Sequence, residues 1–480
     1  MPQEANQLKL TILSIALLLV ITACGGSDED SSKSGSNVRS APSISAPALG
    51  IRSEDGGAPG TEGAIWTRQF GTEQDEQSEG IAVDKDGNIY ILGTTSGELS
   101  GQTAFGYSDA WVRKYDSDGN DLWTNQFGSE GADAAYSGDT DGEGNLYVVG
   151  RTAKTLTSAE SLGSFDAFLK KYSPDGSELF TKQFGTSGRD QAIGVQVSDQ
   201  GSVYAFGETR GTIEGQSSLG KQDVFLIQFD SDGQIGWSKQ LGSPETDTAE
   251  DIFVGSDGSI YLAGTTLGEM DTSLGKTSTD NDAYIVKFDP DGNQSWVRQF
   301  GSGEAQSDAA FAVTADQDGN VIVAGRTSGE LPDKSTWGSF DAFVRKYDSS
   351  GTEIWTKQFG SDQGLLDDDD AYGLASDSSG NIYVSGATIG HLPGMTSFRL
   401  SDVWIRKYDP EGSEVWTYQF GSDEADEGLG IAVSADSVYV TGKTSGILPG
   451  LPETTLCIDK LDPAATCKLK DPFLRKYSID

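Results

Sequence analysis

Residues 341 to 360 read Asp341-Ala342-Phe343-Val344-Arg345-Lys346-Tyr347-Asp348-Ser349-Ser350-Gly351-Thr352-Glu353-Ile354-Trp355-Thr356-Lys357-Gln358-Phe359-Gly360. Two aromatic-rich runs with period-two character flank a tight Asp/Gly turn, the pattern of a β-hairpin. Aligning the chain on Trp-x-x-Gln-Phe-Gly finds seven copies of the second run, at Trp66, Trp123, Phe180, Trp237, Trp296, Trp355 and Trp416. Their spacings are 57, 57, 57, 59, 59 and 61 residues. A period of that length holds four strands of about six residues with their turns and leaves no room for a helix.

The order within a period is constant. An apolar strand such as Gly80-Ile81-Ala82-Val83 (strand A) leads through the turn Asp84-Lys85-Asp86-Gly87-Asn88 to a second strand, Ile89-Tyr90-Ile91-Leu92 (strand B), that ends in Gly-x-Thr. A longer loop then precedes the hairpin of strands C and D. Strand B is apolar on both faces, as expected where neighbours cover it on either side. The expectation is an all-β, seven-bladed propeller of four-stranded blades. The chain enters on a lone D strand, Ile65 to Gly71, and leaves on a lone C strand, Asp471 to Tyr477. Pairing the N-terminal D strand with the C-terminal A, B and C strands would close the ring and remove the last open edge.

Loop lengths separate the two faces. From the Asp that opens strand C to the Gln of strand D the distance is 17 residues in each uninterrupted copy, as from Asp341 to Gln358. From the strand-B Gly to that Asp it is 16 in five copies, 18 between Gly264 and Asp282, and 29 between Gly442 and Asp471. The B–C and D–A connections share one face of a propeller, so a variable face on a fixed scaffold is expected to carry binding.

The elements Asp-Gly-Asn-Ile-Tyr, Gly-x-Thr, Asp-Ala-Phe-Val-x-Lys-Tyr and Gly-x-x-x-Trp-x-x-Gln-Phe-Gly resemble the bacterial β-propeller repeat family called SBBP, over residues 64–480. That family occurs in secreted and lipid-anchored proteins. The resemblance implies a propeller and no particular activity, because the family is defined by its repeat.

Residues 1–23 read as a lipoprotein signal peptide, with Lys9 before the apolar run Leu10 to Ile21, which is too short for a permanent span. The sequence Ile21-Thr22-Ala23-Cys24 resembles a bacterial lipobox, which implies lipidation of Cys24. Residues 24–63, rich in Gly, Ser, Asp, Pro and Ala, read as a disordered, lipid-anchored tether. Gly25 after the cysteine resembles outer-membrane sorting, so the expected location is the bacterial cell envelope, at the outer membrane, facing the periplasm or the cell surface. Cys457 and Cys467 are then the pair left for a disulfide in the last insertion, with two free thiols as the alternative. The formal net charge of −40 argues against nucleic acid and anionic lipid surfaces and favours cations or basic proteins.

Residues repeated in every copy read as structural, since one active site needs one set of groups. The Asp-x-Asp-Gly segments, among them Asp84 to Gly87 and Asp139 to Gly142, read as hairpin turns, because the further ligands of an EF-hand loop are missing. The acidic runs Glu73 to Glu79, Asp423 to Glu427 and Asp367-Asp368-Asp369-Asp370 read as solvated loop surface, and the last four are the candidates for a divalent cation such as Ca2+. The single histidine, His391, excludes a His-rich metal site and reads as a surface residue. Arg-Lys pairs on strand C, such as Arg113-Lys114, read as solvated edge protection.

These observations predict a monomeric, lipid-anchored scaffold that binds a protein or glycan through an acidic variable face. One alternative is a propeller enzyme of lyase, lactonase or glycosidase type using loop carboxylates. Another is a calcium-dependent adhesion module. The discriminator is whether non-repeated polar residues converge on the central channel. From sequence they fall in peripheral loops and no catalytic motif is found, so no enzyme is expected.

Overall fold

A computed structural model of the protein describes residues 60–156, 161–273, 280–303, 305–361, 367–451 and 470–479. These form 28 strands and no helix, arranged as seven four-stranded antiparallel sheets. In the first blade, strands A to D are Glu76–Val83, Ile89–Thr95, Asp109–Tyr115 and Asp121–Phe127. Strand A of each following blade is Asp133–Thr140, Asp190–Val197, Asp247–Val254, Asp308–Ala315, Asp369–Ser376 and Asp426–Val433. The A strands line the central channel and the D strands form the rim, their first two residues exposed in six blades. In the seventh blade Ala64–Gln69 pairs antiparallel with Asp471–Ser478, Trp66 opposite Lys476 and Gln69 opposite Phe473.

Strand B is buried on both faces, as the apolar runs predict. Strand C is different from the expectation of solvated edge protection. Arg113, Lys114, Arg345, Lys346, Arg406 and Arg475 are all buried. The guanidinium carbons of Arg113, Arg345, Arg406 and Arg475 lie 3.8, 4.3, 4.1 and 4.2 Å over the rings of Phe70, Phe300, Phe359 and Phe420. Each Phe is that of Gln-Phe-Gly in the preceding blade, so the cation closes a blade-to-blade contact. Arg113, Arg345 and Arg406 also donate Nε to a strand-D threonine, 2.7 Å to Thr124, 2.8 Å to Thr356 and 2.7 Å to Thr417. The next residue, as in Lys346, pairs with an A–B turn aspartate, Asp316, at 2.9 Å.

The turns follow the Asp/Gly reading with one shift. At Asp84, Oδ1 accepts from the amides of Asp86 and Asn88 at 3.0 and 2.9 Å, and Gly87 takes φ +79°. In the second blade the turn is Asp141 to Asn145, with Gly144 at φ +82°, and Asp139 is a strand-A residue. The Asp139 to Gly142 segment therefore matches the turn pattern without being the turn.

Strand A carries the feature that shapes the channel. In every blade its pairing with strand B skips the fourth residue, a β-bulge, as between Ser78 and Gly80 or between Ala249 and Asp251. The glycine of Gly-x-Thr makes the bulge possible. A Cβ on Gly93 would sit 1.9 Å from the carbonyl oxygen of Gln77, and one on Gly264 2.0 Å from that of Thr248. Only glycine lets the two backbones approach this closely.

Candidate functional site at the channel mouth

A bulge re-aims the side chain of its extra residue. Here seven bulges aim seven different side chains, Glu79, Tyr136, Ile193, Glu250, Phe311, Tyr372 and Leu429, into one channel of about 450 Å³. Strand A begins and strand B ends on the face of the B–C and D–A loops. The bulged residues, fourth of eight in the strand, therefore stand at the loop-face end of the channel, whose lining runs on from them towards the A–B turns.

Further non-repeated polar groups join them from the second position of strand A and the sixth or seventh of strand B. Arg326 Nη1 lies 3.4 Å from Asp370 Oδ1, and Tyr372 Oη donates to Asp370 Oδ2 at 2.8 Å. Lys443 Nζ is 2.9 Å from Glu427 Oε2. Arg151 Nη1 donates to Gln191 Oε1 at 3.2 Å, and Gln191 Nε2 donates to Glu208 Oε2 at 2.9 Å. Thr248 Oγ1 donates to Glu250 Oε1 at 3.2 Å, and Gln77 Nε2 donates to Glu79 Oε1.

The carboxylates here are held in a form unlike that of a solvated acid. Burial, reinforced by Glu208, pushes Glu250 up to about 8. Burial raises Asp251 to about 7 and Asp139 to about 6, although each accepts an amide hydrogen bond from the next blade, from Val313 at 2.9 Å and Val197 at 2.8 Å. Burial likewise raises Glu79 and Glu208. Such a concentration of perturbed groups in a concave site is the usual mark of function.

Of the acidic runs singled out from sequence, Glu79, Asp370 and Glu427 join the mouth and the rest fall elsewhere. Asp369 opens strand A of the sixth blade and is fully buried, accepting from the Ser361 amide at 2.9 Å. Asp370 faces Arg326, Asp367 accepts from Ser361 Oγ at 3.0 Å, and Asp368 bridges to Phe340. Among the described residues no group of three or more His, Cys, Asp or Glu is placed to hold a metal ion. The other acidic runs also begin inner strands, with Glu76 and Asp426 buried at the openings. His391 is half-buried in the sixth B–C loop. Cys24, Cys457 and Cys467 lie outside the described residues.

The repeated residues are structural. Gln126 Oε1 accepts from the Leu99 amide at 2.9 Å while its Nε2 donates to Gly97 O at 2.9 Å and to Asp109 Oδ2 at 2.7 Å. The Asp that opens strand C also holds the amide of the residue four before it: Phe105 at 2.8 Å, Leu162 at 2.8 Å, Leu219 at 2.8 Å, Trp337 at 3.1 Å and Phe398 at 2.9 Å. Phe105, Leu162, Leu219 and Trp337 are exposed, joined by Tyr107 and Leu400 in the same loops. A ring of apolar side chains thus stands on the loop face around the charged mouth.

Sequence reasoning missed the mouth. The available signal was the fourth position of strand A, where Glu79, Tyr136, Ile193, Glu250, Phe311, Tyr372 and Leu429 align behind a repeated opening carboxylate and a small third residue.

The family model described as SBBP, a β-propeller repeat, matches residues 65–99 and 354–393. The regulatory protein FlaEY of Caulobacter vibrioides is 30% identical over 215 residues, covering 40% of this chain and 22% of that protein. The uncharacterized WD repeat-containing protein L264 of Acanthamoeba polyphaga mimivirus is 22% identical over 505 residues, covering 80% of this chain and 36% of that protein. The matches thus span well under half the length of either relative. Among solved structures, the WD40 β-propeller domain of Doa1 is 12% identical with a TM-score of 0.47, covering 87% of this chain and 96% of that one. The polysaccharide lyase Uly1 is 9% identical with a TM-score of 0.47, covering 84% and 90%. The chain is a seven-bladed propeller in which two stretches, one across the seventh and first blades and one across the fifth and sixth, match the SBBP repeat.

Proposed function

We propose that the protein is a non-enzymatic binding scaffold that takes a protein or glycan partner on its loop face. The reading is carried by the exposed apolar ring of Phe105, Tyr107, Leu162, Leu219, Trp337 and Leu400, in loops where the strand-C aspartates fix the backbone amides of Phe105, Leu162, Leu219 and Trp337. Clustered exposed apolar groups with a polar centre are characteristic of interaction sites. A photo-crosslinking amino acid at Trp337 or Tyr107 is expected to capture a discrete species in cells. The same probe at Leu122 or Leu179, exposed on strand D near the opposite face, serves as the comparison. Equal capture from all four positions, or from none, would remove the proposal.

The scaffold would be a monomer held at the bacterial envelope by lipid on Cys24, the resemblance at Ile21 to Cys24 being its support. A fatty-acid label incorporated by the native chain and lost in Cys24→Ser is the expected result.

The enzyme reading is favoured by the convergence of non-repeated polar residues on the channel, against the expectation that they stay in peripheral loops, and by the proximity of Glu250 and Glu208 with Glu250 raised to about 8, which suits a general acid. Hydrolysis or elimination of a glycan or lactone that disappears in Glu250→Gln would establish it in place of the scaffold.

A further inference from the structure

The second and fifth blades build the same site twice with opposite charge. In each, an arginine at the sixth position of strand B lies over the aromatic residue that precedes strand C. Arg326 is 4.4 Å over Phe340, and Arg151 is 4.8 Å over Phe165. Each is also near the bulged aromatic of its own blade, Phe311 at 5.4 Å and Tyr136 at 5.7 Å. Each reaches the second residue of strand A in the next blade. The bridge beside it is also equivalent, Phe340 to Asp368 in one and Phe165 to Arg189 in the other.

What differs is the counter-charge. Arg326 faces Asp370, 3.4 Å away, with Asp368 two residues earlier in the chain. At the corresponding positions Arg151 meets the neutral Gln191 and a second cation, Arg189. Both guanidiniums donate to the one Gln191 oxygen, at 3.2 and 3.4 Å, and Arg189 also lies 5.3 Å over Phe165. The nearby carboxylate, Glu208, is already engaged by Gln191 Nε2 and the Ala249 amide, the latter at 3.2 Å. The Nε atoms of Arg151 and Arg326 are both buried without a hydrogen-bond partner among the described residues, so the twins differ in counter-charge alone. In a protein of net charge −40 this is a local reversal of sign at a concave mouth.

We propose that Arg151 and Arg189 form a subsite for the carboxylate of a sugar acid entering the channel mouth, in the place that Asp370 and Asp368 fill in the twin site. A carboxylate is specified because the protein itself uses carboxylates there, and guanidinium forks match that group bidentately. A hydroxylated ring is specified by Tyr136, whose ring lies 5.7 Å from Arg151 and which offers an aromatic face and a hydroxyl to the channel. The subsite deepens the loop-face proposal and rests on that face being the ligand face.

Calorimetric titration of the full chain with D-glucuronate, D-glucose and inorganic phosphate tests it. Saturable binding of glucuronate alone, weakening with salt, is expected. Gln191→Asp installs the counter-ion of the twin site and is expected to weaken binding at least about ten-fold without lowering the melting temperature. Arg189→Gln, which leaves the Arg151–Gln191 contact intact, is expected to weaken it similarly and guards against misfolding of the first variant. No glucuronate binding, unchanged binding in both variants, or equal binding of phosphate would overturn the proposal. Tighter binding of a free-carboxylate tripeptide than of glucuronate would overturn the sugar acid. Failure here with retained crosslinking from Trp337 removes the subsite alone, and loss of that crosslinking removes the face.

Discussion

Gly264 shows how one residue links fold and site. Its missing Cβ leaves room for the Thr248 carbonyl, the bulge that follows turns Glu250 into the channel, and Thr266 two residues on donates Oγ1 to Asp247 at 2.5 Å. Gly264→Ala is expected to cost on the order of 3 kcal/mol, because the obstructing atom is backbone and cannot rotate away. Chemical denaturation measures this, and a change within about 0.5 kcal/mol would contradict the close approach. The glycine itself was legible in the sequence as a structural residue. Its purpose was not, because a bulge is a register event between two strands and leaves no trace in the period-two pattern of either one. For the same reason Glu79 reads as part of an acidic run and Glu250 as part of a strand, with nothing to show that both line one channel.

At the level of single strands, the buried cations of strand C are the main departure from expectation. Charge on an outer hairpin argues for solvent. The strand is in fact the third of four, and its cation meets an aromatic ring of the preceding blade, a partner that no local pattern could supply. Two blades do without the cation and place Ile227 and Val286 there, with Ile227 in the cluster that Phe184 packs against. Arg406→Ala is therefore expected to destabilise by about 3 kcal/mol, since it leaves a cavity over Phe359 and removes the Thr417 and Glu414 contacts. Arg406→Ile, which borrows the solution of the third blade, should cost less than half as much. Equal losses in the two variants, read by urea midpoints, would show that charge rather than volume matters there. Hairpins, turns and blade order were readable because they are encoded within 20 residues or so of chain, the scale on which local propensity operates.

For the whole molecule the ring closure and the charge balance each carry an expected outcome. Removing residues 64–71 strips strand D from the seventh blade and leaves Asp471–Ser478 as an open edge. The melting temperature of that truncation should fall clearly, and an unchanged transition would contradict the role of the pairing. The pH dependence has two limbs. Glu250, raised to about 8, with Asp251, Asp369 and Asp426, each at about 7, bind protons more tightly folded than unfolded. Their contribution is complete below pH 4 or so and is lost as pH rises through 7 to 8. In the opposite sense, hydrogen bonds from Asn120 and Asn293 hold the turn carboxylates Asp116 and Asp289 below their usual range, a contribution present above about pH 4 and lost in acid. Stability should therefore peak at about pH 4 and decline towards pH 8.5, with a shallower decline in Glu250→Gln. A melting temperature that climbs from pH 6 to 8.5 would refute the assignment.

The seven bulges also separate two kinds of heredity. Whatever occupies the fourth position of strand A, the glycine opposite it and the Asp–Gln brace keep the blade intact, as five residue types at seven positions in one molecule already demonstrate. Changes at those positions can alter what the channel recognises while leaving the capacity to fold almost untouched. Duplicated blades could drift apart in specificity one residue at a time, and the same seven positions form a ready library for directed selection of new ligands on an unchanged frame.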